Sequence, residues 1–171
     1  MNICSGGVRT YIYAGRLDKG KGILKLLNEW INLPGTYVLE VYGEGECAAE
    51  VRKLAAKCPN IHLNGFCPQK ELFNSLKSAV ALITPYIWYE GYPMNIAECF
   101  SLGVPVVSTS IGNAGDLVSK SNAGTLFDFE VKGSFRKALD AVYEQRTKFS
   151  FNAYNYYFCL LYTSPSPRDR G

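Results

Sequence analysis

Residues 80–84 read Val-Ala-Leu-Ile-Thr, a short run with no polar alternation. A strand with one wet face alternates apolar and polar side chains, so this one must be covered on both sides. The same holds for 10–15 (TYIYAG) and 104–108 (VPVVS), whose proline sits near the first position, where a missing N–H is tolerated. Residues 37–42 (YVLEVY), 61–65 and 125–127 are further strand candidates, each bounded by Gly, Pro or Asn. Between them lie helical faces: 23–33 with apolar residues at 23, 24, 27, 30 and 31, then 47–58, 71–77, 95–102 and a last helix over 131–148. The order is β-α-β-α-β-α-β-α-β-β-α. Doubly apolar strands alternating with helices predict an α/β fold, a doubly wound, Rossmann-like parallel sheet. There is no internal repeat.

A chain of 171 residues with 47% hydrophobic and 19% charged residues can bury one full core. A formal charge of +3 is too small to imply a polyanion, so no nucleic-acid partner is expected. No apolar run is long enough to span a bilayer, and residues 1–8 lack the order of a secretory leader. The 6 cysteines, at 4, 47, 58, 67, 99 and 159, form no Cys-x-x-Cys pair. These features predict a reduced, cytoplasmic chain.

Residues 159–169 (CLLYTSPSPRD) resemble a translated sequencing adapter of the transposase-end type. The expected organisation is therefore a domain over 9–158, cut at its carboxyl end, followed by a non-native tail over 159–171. Without the tail the charge is +2, and a genuine Ser/Pro-rich terminus is the alternative.

In a parallel sheet of this kind, ligands sit beyond the carboxyl ends of the strands. The first such loop, 15–22 (GRLDKGKG), carries Arg16 and Lys21, and two cations there suit a diphosphate. Gly20 and Gly22 allow close backbone approach. A solvated charged turn is the plainer alternative. The glycine spacing matches neither a dinucleotide fingerprint nor a P-loop. The loop after the fourth strand is sharper. It reads E-G-Y-P-M-N-I-A-E over 90–98, with Pro93 near a helix start and Gly103 just past its end. The first turn of that helix offers free N–H groups and a positive dipole end to a phosphate. Glu98, about one turn inside, is able to accept ribose hydroxyls. Singly, Glu90 and Glu98 are equally well read as surface acids.

Taken together, these residues resemble the retaining glycosyltransferases of family 4, which have the two-domain B-type fold. The resemblance rests on Gly15-Arg16-Leu17 with Lys21-Gly22, on Glu90 and Glu98 separated by seven residues, and on the run 91–109. V-Y-G-E-G (41–45), N-G-F (64–66) and G-T-L-F (124–127) extend it over about 9–148. It implies a sugar-transferring enzyme that uses a UDP- or GDP-sugar and needs no metal or other cofactor. Arg16 and Lys21 would neutralise the diphosphate. Gly15 and the segment Gly91, Tyr92, Pro93, Met94, Asn95 and Ile96 would meet donor phosphate and sugar. Glu98 would hold the ribose, Glu90 would sit beside the sugar as nucleophile or positioning group, and Phe66 and Cys67 would lie by the base. Asp116 stands where many relatives have glutamate, and residues 87–89 (IWY) are unusually aromatic. Trp88 is read either as lining the interdomain cleft or as buried, and His62 as structural. The acceptor-binding amino-terminal domain of the family has no counterpart here. The isolated chain is thus expected to bind donor weakly and transfer nothing, with any peripheral contact at the inner membrane face made through the absent domain. A donor-binding subunit of a split enzyme and a non-catalytic binding module are the alternatives.

Overall fold

The computed structural model describes residues 7–88 and 94–163. Six strands form one sheet: β1 (Arg9–Ala14), β2 (Tyr37–Tyr42), β3 (Ile61–Gly65), β4 (Ala81–Thr84), β5 (Val106–Thr109) and β6 (Gly124–Phe127). They lie in the order β3-β2-β1-β4-β5-β6, and every pair is parallel. Neighbouring strands β1 and β4 are therefore far apart in sequence, and the direction of winding reverses between them. That reversal opens a crevice at their carboxyl ends.

The helices are α1 (Ile23–Trp30), α2 (Ala48–Ala55), α3 (Gln69–Ser78), α4 (Met94–Ser101), α5 (Gly112–Ser121), α6 (Ser134–Glu144) and α7 (Arg146–Thr163). A single 3-10 turn, Lys19–Lys21, leads into α1. Side chains alternate across the strands, and both faces are apolar. Tyr11, Tyr13, Leu39, Ile83 and Val107 point to a core shared with α1, α2 and α6. Ile12, Leu82 and Val106 point to a second core shared with α3, α4, α5 and α7. Trp30 is fully buried in the first core. Its indole N–H donates to the Tyr37 carbonyl at 2.9 Å, and its ring meets Tyr11 and Phe135 edge-on. Truncation to alanine would cost about 3–5 kcal/mol.

Two expectations fail. The fifth and sixth strands do not follow one another directly, as the expected order had it, because α5 crosses over between β5 and β6. Parallel strands cannot be joined by a tight turn, and the crossover ends where Asn122 turns left-handed with φ 51°. The last helix is also two helices. The chain breaks at Gln145, so that α6 packs on the first core while α7 adds Phe149 to it and reaches the second through Ala153. Helical backbone continues past residue 159 to Thr163, so no break in secondary structure marks the expected tail boundary. Residues 164–171 lie outside the described residues. No described helix is long and apolar enough to cross a membrane.

Candidate functional site

Three glycines end the first three strands and knit their loops together. The Gly15 N–H donates to Tyr42 O at 3.0 Å, and the Gly43 N–H donates to Gly65 O at 2.8 Å. A β-carbon on Gly43, at φ +133°, would stand 1.8 Å from the Gly15 carbonyl oxygen. The two loops approach backbone to backbone, and only glycine permits it. Beyond them, the Leu17 N–H reaches Glu44 O at 3.1 Å and the Cys47 N–H reaches Leu17 O at 2.8 Å. The result is a rigid floor with little side-chain bulk.

Above this floor lies a cavity of about 390 Å³. Ala14 ends β1, with Gly15 and Arg16 just past it; Tyr42 ends β2, with Gly43 and Glu44 just past it; Phe66 and Cys67 follow β3; Asn95, Glu98 and Cys99 come from α4. It sits at the crevice between β1 and β4. Of the residues singled out in the sequence, Gly15, Arg16, Phe66, Cys67, Asn95 and Glu98 are brought together here.

Arg16 is held at both ends. Its carbonyl accepts the Tyr13 hydroxyl, and its Nε lies 2.8 Å from Asp18 Oδ2. Asp18 in turn accepts the Glu46 N–H at 3.1 Å. The Arg16 hydrogen bond, backed by that N–H, holds the Asp18 carboxyl below its ordinary range. The Arg16 side chain remains 67% exposed at the cavity wall. Asn95 donates to Ala14 O at 2.8 Å, which docks the first turn of α4 onto the end of β1. Glu98 is half-buried and takes the Gln69 amide at 3.5 Å. Phe66 is 79% exposed, a ring at the rim with no core to fill. Cys99 is fully buried, and burial pushes its thiol well above the ordinary range.

Other residues stand elsewhere. Lys21 is not among the cavity-lining residues; its Nζ lies 5.3 Å from the Tyr86 ring centroid. The Ile96 side chain is fully buried in the second core, which leaves only its backbone to meet a ligand. Glu90, Gly91, Tyr92 and Pro93 lie outside the described residues, and Met94 is described in its backbone alone. Trp88 is 62% exposed rather than buried. His62 pairs with Glu40 at 2.9 Å on the outer face of β3. Asp116 is exposed on α5. Leu72, Leu76 and Leu82 line the cavity and were given no site role from the sequence, and Tyr42, Gly43 and Glu44 were noted only as part of V-Y-G-E-G. Glu44 had a signal, since it lies between two glycines directly after a strand.

A six-stranded parallel sheet with a ligand-sized cavity at its reversal point is a doubly wound, Rossmann-like α/β fold with a candidate site in the expected place. Residues 5–156 match the model of the family described as glycosyl transferases group 1. The chain belongs to that family. It is 29% identical over 133 residues to an uncharacterized glycosyltransferase, MJ1059, of Methanocaldococcus jannaschii, covering 73% of this chain and 32% of that protein. Sucrose-phosphate synthase from Thermosynechococcus elongatus superposes with a TM-score of 0.77 at 18% identity, over 92% of this chain and 42% of the other. Anabaena HepE, solved in complex with UDP, superposes with a TM-score of 0.72 at 18% identity, over 88% of this chain and 44% of the other. The chain thus spans less than half the length of each of these three proteins.

Proposed function

We propose that this chain is the donor-binding half of a retaining glycosyltransferase that moves a sugar from a UDP- or GDP-sugar to an acceptor. One observation carries the reading: Gly15, Arg16, Phe66 and Glu98 line one cavity at the crevice of the sheet. In this reading the bond between the anomeric carbon and the diphosphate breaks, and negative charge gathers on the leaving group. Arg16, Lys21 and the first-turn amides of α4 stabilise that charge, in the role a metal cation plays in other enzymes. Glu98 accepts the ribose hydroxyls, the Phe66–Cys67 backbone reads the base, and Glu90 sits beside the sugar. HepE was crystallised with UDP-glucose, which fits a uridine diphosphate donor here. The acceptor is bound by a second domain, and the protein is cytoplasmic, with membrane contact made through that domain.

The test is calorimetric titration of the chain with UDP, GDP and their nucleosides, in EDTA. A diphosphate that binds at least about tenfold more tightly than its nucleoside supports the reading, since a single charge-assisted hydrogen bond is worth that much. Equal affinity for both, or none for either, sinks it. Efficient glycosylation of acceptors by the chain alone would refute its role as a half-site.

A further inference from the structure

Lys21 is placed by a contact that lies far from it in sequence. Four consecutive residues after β4 lie along the turn that carries it. A β-carbon on Gly22 would stand 1.7 Å from the Pro85 carbonyl oxygen, so these two backbones touch. Tyr86 lies under the Lys21 ammonium. The Ile87 N–H donates to Gly20 O at 3.2 Å. Trp88 closes the row: a β-carbon on Gly20 would fall 2.3 Å from its Cε3, 2.9 Å from Cδ2 and 3.0 Å from Cζ3. Gly20 is buried between two lysines, and its backbone is not left-handed. Its conformation does not demand glycine. The indole does.

Resting on the donor reading above, we infer that Trp88, seated on Gly20, is a positioning residue that sets the Lys19–Lys21 turn so that Lys21 meets the donor diphosphate. Lysine is a point charge on a flexible stem, so its contribution depends on where its backbone is held. The turn closes on itself, with the Lys21 N–H donating to Asp18 O at 3.0 Å and the Gly22 N–H to Lys19 O at 3.2 Å, so what covers Gly20 sets where the whole turn sits. Tyr86 fixes one side of the lysine, and Trp88 caps the residue before it.

The chain has 2 tryptophans, and Trp30 is fully buried, so acrylamide-quenchable emission reports Trp88. Gly20→Ala should dislodge the ring and raise that quenching. Both Gly20→Ala and Trp88→Ala should weaken UDP binding by about tenfold, the worth of one oriented charged contact. Uridine binding should stay the same. In a Lys21→Ala background, Trp88→Ala should change UDP affinity by less than about twofold, because coupled residues are not additive. Trp88→Phe should restore much of the loss. Circular dichroism melts check that each variant folds, and Gly20→Ala gives a second lesion should Trp88→Ala not. The proposal is overturned if Trp88→Ala binds UDP normally, if UDP and uridine weaken together, or if the Lys21 and Trp88 effects simply add. An unaltered chain that ignores UDP and GDP overturns the donor reading instead.

Discussion

The side-chain amide of Asn95 donates to the carbonyl of Ala14 at 2.8 Å, tying the first turn of α4 to the last residue of β1. These strands and helices are connected by no short stretch of chain, so this bond sets the height of α4 over the cavity. Asn95→Ala should lower stability by about 1 kcal/mol, the net worth of one hydrogen bond. It should lower the melting temperature by about 2–4 °C. Nucleotide affinity should fall further than stability does, because α4 carries Glu98. A variant whose melting point drops while nucleotide binding is untouched would show that α4 is held by its buried face alone.

Gly43 and Gly35 make a controlled pair. An alanine at 43 meets the Gly15 carbonyl at 1.8 Å in a backbone conformation that disfavours a side chain, whereas an alanine at 35 meets nothing within 4 Å. Gly43→Ala should destabilise the chain by about 2–4 kcal/mol, as strain and steric overlap combine. Gly35→Ala should lie within about 0.5 kcal/mol of the parent, or slightly stabilise it by restricting the unfolded chain. Urea unfolding midpoints at equal slope measure both. Equal midpoints would mean that the β1 and β2 loops separate at little cost.

The strands were legible because their signal is local: an apolar run between breakers needs no partner to be recognised. Gly15 and Arg16 were legible for a related reason, since strand-end loops of a parallel sheet must converge, and Glu98 from the helix start after the fourth strand; Phe66 and Asn95 were named only through the family resemblance. Helix α5 was not. Gly112, Asn113, Gly115 and Ser119 weaken its propensity, and Gly115 is demanded by the Ser110 backbone 2.6 Å from where a β-carbon would stand. That demand is tertiary. The same is true of Lys21, whose place depends on residues 85–88, more than sixty positions away. The strand of origin of a cation is written in the sequence, while the direction it faces is decided by packing.

His62 and Glu40 give stability a shallow pH dependence. The carboxylate hydrogen-bonded to Nδ1 raises the imidazole above its ordinary value of 6.5. A raised histidine contributes fully below the unfolded value, and that contribution is lost as pH rises through the folded one. Both side chains are partly in water, so screening holds the effect to about 0.5 kcal/mol or less. The stability gap between the parent and His62→Gln should therefore shrink between about pH 5.5 and pH 8.5. A gap that widens over that range would mean that the pair does not form.

Phe66 offers the cleanest separation of binding from folding. Its ring is 79% exposed at the cavity rim, so Phe66→Ala should leave stability within about 0.5 kcal/mol of the parent. If the ring lies against the nucleobase, stacking worth about 1–3 kcal/mol is lost, and nucleotide affinity falls at least about fivefold. Phe66→Leu distinguishes stacking from simple apolar cover, because leucine keeps most of the area and none of the π-face. A leucine variant that binds as well as the parent would reduce the ring to a hydrophobic lid. An alanine variant that binds equally well would remove Phe66 from the site altogether.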